Sequence, residues 1–205
     1  MYNNILTQNS KLKKTSKLAM RSVLNFGIPA YKSTTGKITC PFADECVKYC
    51  YARKGTFRWP NTINAYENRF RIARSPDFET IMNAAILVNN PHFIRVHDSG
   101  DYFSEKYMDR WFSIMRANPN VKFYSYTNSV LLMKQHINDM PHNFDVIFST
   151  DGKQRDKVDK TKDRHAVIFN TVEELEAAGY VNASENDLLA TRWYSENKKV
   201  GLIKH

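Results

Sequence analysis

Cysteine is scarce in this chain: there are three in 205 residues, all between positions 40 and 50. An odd number confined to so short a stretch excludes a disulfide framework of the kind that staples small secreted domains. No apolar run is long enough to cross a bilayer, and the N-terminus lacks the apolar stretch of a signal peptide. The expectation is therefore a cytoplasmic protein with no membrane partner. Acidic residues are missing from the first 25 positions, which carry Lys11, Lys13, Lys14, Lys17 and Arg21. Also absent are an HExxH pair, a nucleophile elbow and a P-loop, which ranks a metal-dependent hydrolase built on His97, Asp98 and Asp101 last among the function classes.

What is present argues for a folded chain. Apolar residues make up 42%, with 12 Phe, 11 Tyr and 3 Trp, enough to fill one substantial core. The simplest division is a basic lead-in of weak structure over 1–20 and a single α/β domain over 21–205. The net charge of +9 suits a polyanionic partner, a nucleic acid or nucleotide, and equally a plain solvated basic surface.

Hydrophobic patterning alternates between the two secondary-structure periods. Residues 21–32 (RSVLNFGIPAYK) read as an extended segment broken by Gly27 and Pro29. Two helices follow between Asn61 and Asn89, separated at Ser75-Pro76-Asp77, where serine or aspartate caps the second. HFIRVHDSG is a strand ending in a glycine turn, and Ser104 caps a helix carrying Tyr107, Met108, Trp111, Phe112 and Met115. VKFYSYTNS, DVIFSTDG and HAVIFN are further strands, with short helices over 130–137 and 172–178. Regular strand–helix alternation predicts parallel strands with crossover helices. The expected fold is an incomplete (βα) barrel or an open parallel sheet of about four to five strands.

In such folds functional groups gather at the C-terminal ends of the strands. Here those ends carry His97-Asp98-Ser99-Gly100-Asp101, Tyr126-Thr127-Asn128-Ser129, Ser149-Thr150-Asp151-Gly152 and Asn170-Thr171. Ser, Asp and Asn also cap helices and make turns, and Ser104 and Thr171 need do no more than that. Two acids and a histidine within HDSGD exceed what capping requires, which makes His97, Asp98 and Asp101 the candidate catalytic groups.

Cys40, Cys46 and Cys50 are separated by five and then three residues. Thiolates are soft ligands that select zinc or iron–sulfur clusters. Structural zinc takes four ligands in two close pairs, and no second pair exists here. Three thiolates can hold three irons of a [4Fe–4S] cluster and leave the fourth open, whereas an all-cysteine cluster needs a fourth cysteine. The alternatives are zinc completed by His97 or an aspartate, and cysteines that are simply buried.

CPFADECVKYCYAR, followed by HDSGDYFS and YSYTNS, resembles the phage proteins called the gene-product-88 family over roughly residues 9–170. The same layout resembles the radical S-adenosylmethionine enzymes, which carry three cysteines on the loop after the first strand and an aromatic residue, here Tyr49, before the last. Their spacing is tighter than in this chain. That second resemblance implies a cluster whose open iron binds S-adenosylmethionine, contacted by Ser99, Gly100 and Asp101 and by Thr127, Asn128 and Ser149. Arg53, Arg58, Arg69 and Arg71 would then receive a phosphate-bearing substrate, and Phe57 and Trp59 either stack on a base or close a lid over the loop. The competing class is a non-enzymatic nucleic-acid-binding protein whose zinc or cluster only folds the loop.

Overall fold

The computed structural model describes residues 5–204. The chain opens with helix α1 (Ser10–Ala19), strand β1 (Val23–Phe26), a single helical turn α2 (Cys46–Tyr49), and helices α3 (Pro60–Ala73) and α4 (Phe78–Asn89). It continues with β2 (Phe93–Val96), α5 (Glu105–Ala117), β3 (Lys122–Thr127), α6 (Val130–Gln135), β4 (Phe144–Ser149), β5 (His165–Phe169), α7 (Val172–Ala177), β6 (Val181–Asn182) and β7 (Lys199–Ile203). All pairings among the seven strands are parallel, in the order β1-β2-β3-β4-β5-β7-β6. The result is an open, curled sheet, a half-barrel.

The architecture matches the expected open parallel sheet, with seven strands where about four to five were read from the sequence. The additional pair, β6 and β7, is short or lies in the C-terminal stretch, where two residues of β6 leave no periodicity to detect. The lead-in is the larger correction. Ser10–Ala19 is a regular helix whose Asn9 side chain accepts from the Leu12 amide, with Leu12 and Thr15 buried. Residues 1–4 lie outside the described residues. Of the helix starts, Ser104 and Thr171 cap through their side chains as read, accepting from Tyr107 and Glu174 amides. Asp77 holds the N-cap position of α4 without a side-chain bond, so its role there is backbone only.

Strand alternation sorts the core into two layers. Ile94 and Val96 of β2, Phe123 of β3 and Phe144 and Phe148 of β4 pack with α3, α4 and α5 around Phe78, Trp111 and Met115. The alternate residues Phe93, Tyr124 and Ile147 face the opposite layer, built from Leu12 of α1 and the C-terminal residues Leu188, Ala190 and Val200. Trp193 and Tyr194 pack edge-on against Phe93, each with ring centroids 5.9 Å away, which fastens the tail to the body.

That second face is not uniformly apolar. Arg95, Asp145 and Tyr126 lie on it, and Asp187 is fully buried among them. Asp187 accepts from Lys11 at 2.6 Å, Arg95 at 3.2 Å, Tyr124 at 2.7 Å and Tyr126 at 3.3 Å, and its amide donates to Thr15 Oγ1 at 2.9 Å. The basic lead-in and the C-terminal stretch are thereby tied to the central strands by one buried carboxylate.

Candidate functional site

Because every strand is parallel, the ends of β1, β2, β3 and β4 lie on one edge of the sheet, and the segment 39–51 is laid across that edge. Thr39 O accepts from the Asp101 amide at 2.9 Å and Phe42 O from the Lys153 amide at 2.8 Å. Arg155 pairs with Asp44 at 2.9 Å, and Tyr49 Oη donates to Asp151 at 2.5 Å. The loop is thus pinned to the ends of β2 and β4 at four separate points.

Beneath it lies a cavity of about 150 Å³ bordered by Cys40, Cys46 and Cys50 and by Ser99, Gly100, Asp101, Asn128 and Ser149. The three cysteines, the turn after β2, and the ends of β3 and β4 therefore meet where the sequence placed them. Thr127 is adjacent but does not border the cavity. Its Oγ1 donates to Asp101 at 2.5 Å and accepts from the Ser129 amide.

Asp101 is buried, and its carboxylate is fully occupied. Besides Thr127 it takes the amides of Tyr102 at 2.8 Å and Asn128 at 2.9 Å. Burial nevertheless outweighs these bonds and raises its pKa to about 6. Its geometry makes it a clamp between the ends of β2 and β3. Asp98 Oδ2 accepts from Tyr66 at 2.9 Å, while Oδ1 is buried with no partner among the described residues. Tyr51 donates to the Asp98 carbonyl. A Cβ on Gly27 would lie 1.9 Å from Asp98 Oδ1, so the turn after β1 requires glycine for Asp98 to fit.

His97 borders the cavity, but its ring packs in the core, edge-on to Tyr102 at 4.7 Å, with Nε2 3.0 Å from Tyr107 Oη. Burial, helped by nearby Arg95, lowers its pKa to about 3, so it is a neutral imidazole at pH 7. Its backbone is left-handed at φ 67°, a conformation that turns the chain sharply into the HDSGD segment.

The thiols are free and largely buried. Burial pushes Cys40 up to about 12, with the Asp101 carboxylate adding to the effect, and pushes Cys46 up to about 11. Cys50 is raised by the same cause. Cys40 Sγ accepts from the Tyr31 amide at 3.2 Å, and Asn128 Nδ2 lies 3.9 Å from Cys46 Sγ. Among the described residues no three His, Cys, Asp or Glu side chains converge on a point that a single ion would fill.

A second cavity of about 410 Å³ borders the same loop and shares Cys46, Cys50, Tyr51 and Arg95 with the first. Sequence reasoning missed it, because its walls come from α1, β5 and β7. Of the arginines expected to bind phosphate, Arg53 borders the first cavity, whereas Arg58, Arg69 and Arg71 border neither. Arg69 is buried, donates to Gly27 O at 2.8 Å and stacks over Tyr66, whereas Arg53, Arg58 and Arg71 are exposed. Phe57 packs against Tyr51 and Tyr66, as a lid does, and Trp59 stays 63% exposed.

A family model described as Gene product 88 matches residues 3–205. The chain belongs to that family. It is 28% identical over 131 residues to the Gene 88 protein of Mycobacterium phage L5, an alignment covering 53% of this chain and 55% of that protein. The matched region is thus about half the length of the phage relative. No solved structure matches. These findings support the first of the two family resemblances and not the second, and neither name carries an activity. No helix among the described residues is long and apolar enough to cross a membrane.

Proposed function

We propose that the chain is an iron–sulfur protein in which Cys40, Cys46 and Cys50 hold a [4Fe–4S] cluster, with one iron left open for a ligand. The observation that carries this reading is that all three thiols border one cavity at the C-terminal edge of a parallel half-barrel without converging on a single point. Zinc at about 2.3 Å from each sulfur needs its thiolates gathered around one centre. A cluster takes each thiolate on a different iron and so accepts a wider triangle. The cavity, at about 150 Å³, is several times the ~30 Å³ share of one water. Asn128 Oδ1, Ser99 Oγ and Asp98 Oδ1, buried and without partners among the described residues, supply unused polar atoms near the same edge.

Such a cluster supplies, when bound, an iron with an open coordination position and a one-electron couple. The protein's own residues do the rest. Asp101 and Thr127 fix the ends of β2 and β3, Asn128 sets its amide toward Cys46, and the Tyr49–Asp151 bond holds the helical turn that carries Cys46 and Cys50. Ser99, Gly100, Asp101, Asn128 and Ser149, assigned to S-adenosylmethionine by resemblance, border that cavity and are the residues a ligand of the open iron would meet. The reaction class proposed is radical S-adenosylmethionine-like, on a nucleotide-type substrate. The test is electron paramagnetic resonance of the reduced, anaerobically purified protein with and without S-adenosylmethionine. A cluster signal that shifts on addition supports the open iron. An unchanged signal restricts the cluster to a structural role.

The second reading, a nucleic-acid-binding protein with a structural metal, rests on the exposed basic face of α1, where Lys13, Lys14 and Lys17 point to solvent. It requires one zinc or a redox-silent cluster per chain, no response to S-adenosylmethionine, and salt-sensitive binding to DNA or RNA.

A further inference from the structure

We propose that the 410 Å³ cavity beside the cysteine loop is a binding site for a mononucleotide-sized anion, its phosphate held between α1 and the C-terminal end of β7 and its ring held by aromatic side chains. The volume falls in the range of small-ligand pockets. Asn9, which caps α1, and Ser10 and Lys11 of its first turn form one wall. Asn9 Oδ1 takes the Leu12 amide, which leaves the Ser10 and Lys11 amides without acceptors among the described residues. A helix start of this kind favours an anion.

The charge balance is the independent observation. Asp187 is the one carboxylate between two cations, Lys11 and Arg95, so the wall carries a surplus positive charge. Arg95 is about nine-tenths buried, borders the cavity, and has its Nε without a partner among the described residues. Lys204 adds a further cation on the rim, its ammonium 5.6 Å from the Tyr49 ring centre. A buried surplus of positive charge is costly until an anion neutralises it.

The rest of the lining suits a nucleoside. Tyr49, Tyr51 and Phe57 offer aromatic faces and edges, and the partly exposed Ile168 and Leu202 an apolar wall. Asp151 is the single carboxylate on the lining. Its Oδ2 is taken by Tyr49, and its buried Oδ1 has no donor among the described residues, so it is able to accept a sugar hydroxyl. Cys46 and Cys50 border this cavity too, which places the ligand against the cluster site. Binding itself stands on the cavity and its charges. Only the ligand's role as substrate rests on the cluster reading.

The experiment is calorimetric titration of the full chain with adenosine 5′-monophosphate, adenosine and inorganic phosphate, with iron content recorded on each sample. We expect the nucleotide to bind at least about tenfold more tightly than adenosine, as a charge-assisted phosphate contact requires. Lys204→Gln should weaken the nucleotide and not adenosine. Ile168→Trp, which adds bulk to the lining without removing charge, should abolish both. Equal affinity for nucleotide and nucleoside, no nucleotide binding at millimolar concentration, or unchanged affinity in Ile168→Trp would overturn the proposal. Because iron is measured separately, a chain that binds nucleotide without iron sinks the cluster and not this site.

Discussion

Asp187, from the segment before β7, lies fully buried against Arg95 of β2, with Arg95 Nη1 3.2 Å from its Oδ2. Burial alone would raise this carboxyl, but Arg95 and Lys11 outweigh burial and hold it below the usual carboxylate range. Helix α1 and the C-terminal segment meet at this carboxylate. Replacing it with alanine leaves two cations uncompensated in the interior, a loss typically worth about 3–5 kcal/mol. Asp187→Ala should therefore lose roughly that much in denaturant unfolding. Because its folded pKa is depressed, the contribution is present above the unfolded carboxyl value near 3.9 and disappears as pH falls below it. A variant within about 1 kcal/mol of the parent would show that the pair does not anchor the tail.

Gly152 touches the site from the turn after β4. A Cβ there would lie 2.2 Å from Asn128 Oδ1 and 2.7 Å from the Phe42 carbonyl, and the second contact is backbone that cannot rotate away. Gly152→Ala should displace the Asn128 amide and the start of the cysteine loop, costing about 1–3 kcal/mol as overpacking does. Bound metal per folded chain should fall with it. Full metal retention in this variant would mean that the loop is not held by the end of β4.

Asp101 and His97 pull the pH dependence of stability in opposite directions. Asp101, raised to about 6, binds a proton in the folded state that the unfolded chain gives up from about pH 4, so it removes stability as pH rises through that window. His97, lowered to about 3, is neutral when folded and protonated when unfolded up to about pH 6.5, so it adds stability as pH rises. Asp101→Asn removes the first effect and keeps the second. Its stability between pH 4 and 6 should therefore climb with pH more steeply than the parent's, by up to about 1.4 kcal/mol per pH unit. An unchanged slope would place Asp101 in a solvated environment.

The thiols make a kinetic prediction. The thiolate is the reactive form, and all three are raised by burial. In metal-free protein at pH 8, alkylation by iodoacetamide should be at least about tenfold slower than for free cysteine, with Cys40 slowest. Fast modification of Cys40, followed by mass spectrometry of its peptide, would contradict the burial described for it.

Much of this arrangement was legible in the sequence. The apolar bodies of β2, β3 and β4 and their polar ends located the edge of the sheet, and the cysteine spacing located the loop upon it. Two features were hidden for identifiable reasons. Ser10–Ala19 reads as a solvated basic segment because its buried face holds only Leu12 and Thr15, and its docking depends on Asp187, far along the chain. Arg95 and Asp145 sit inside strands that look like plain core, because their partners come from the tail and no local pattern encodes such pairs. His97 looked catalytic from its neighbours in HDSGD, yet its left-handed backbone carries the ring into the core beside Tyr107. Asp101 likewise reads as a free carboxylate until the amides of Tyr102 and Asn128 are seen to occupy it.

The most direct test is the iron, acid-labile sulfide and zinc content of protein purified under strict anaerobiosis, for the parent and for Cys46→Ala and Cys50→Ala. We expect about four irons and four sulfides per chain in the parent, and loss of both in each variant. About one zinc with no sulfide in the parent, or full iron in both variants, would contradict the cluster assignment.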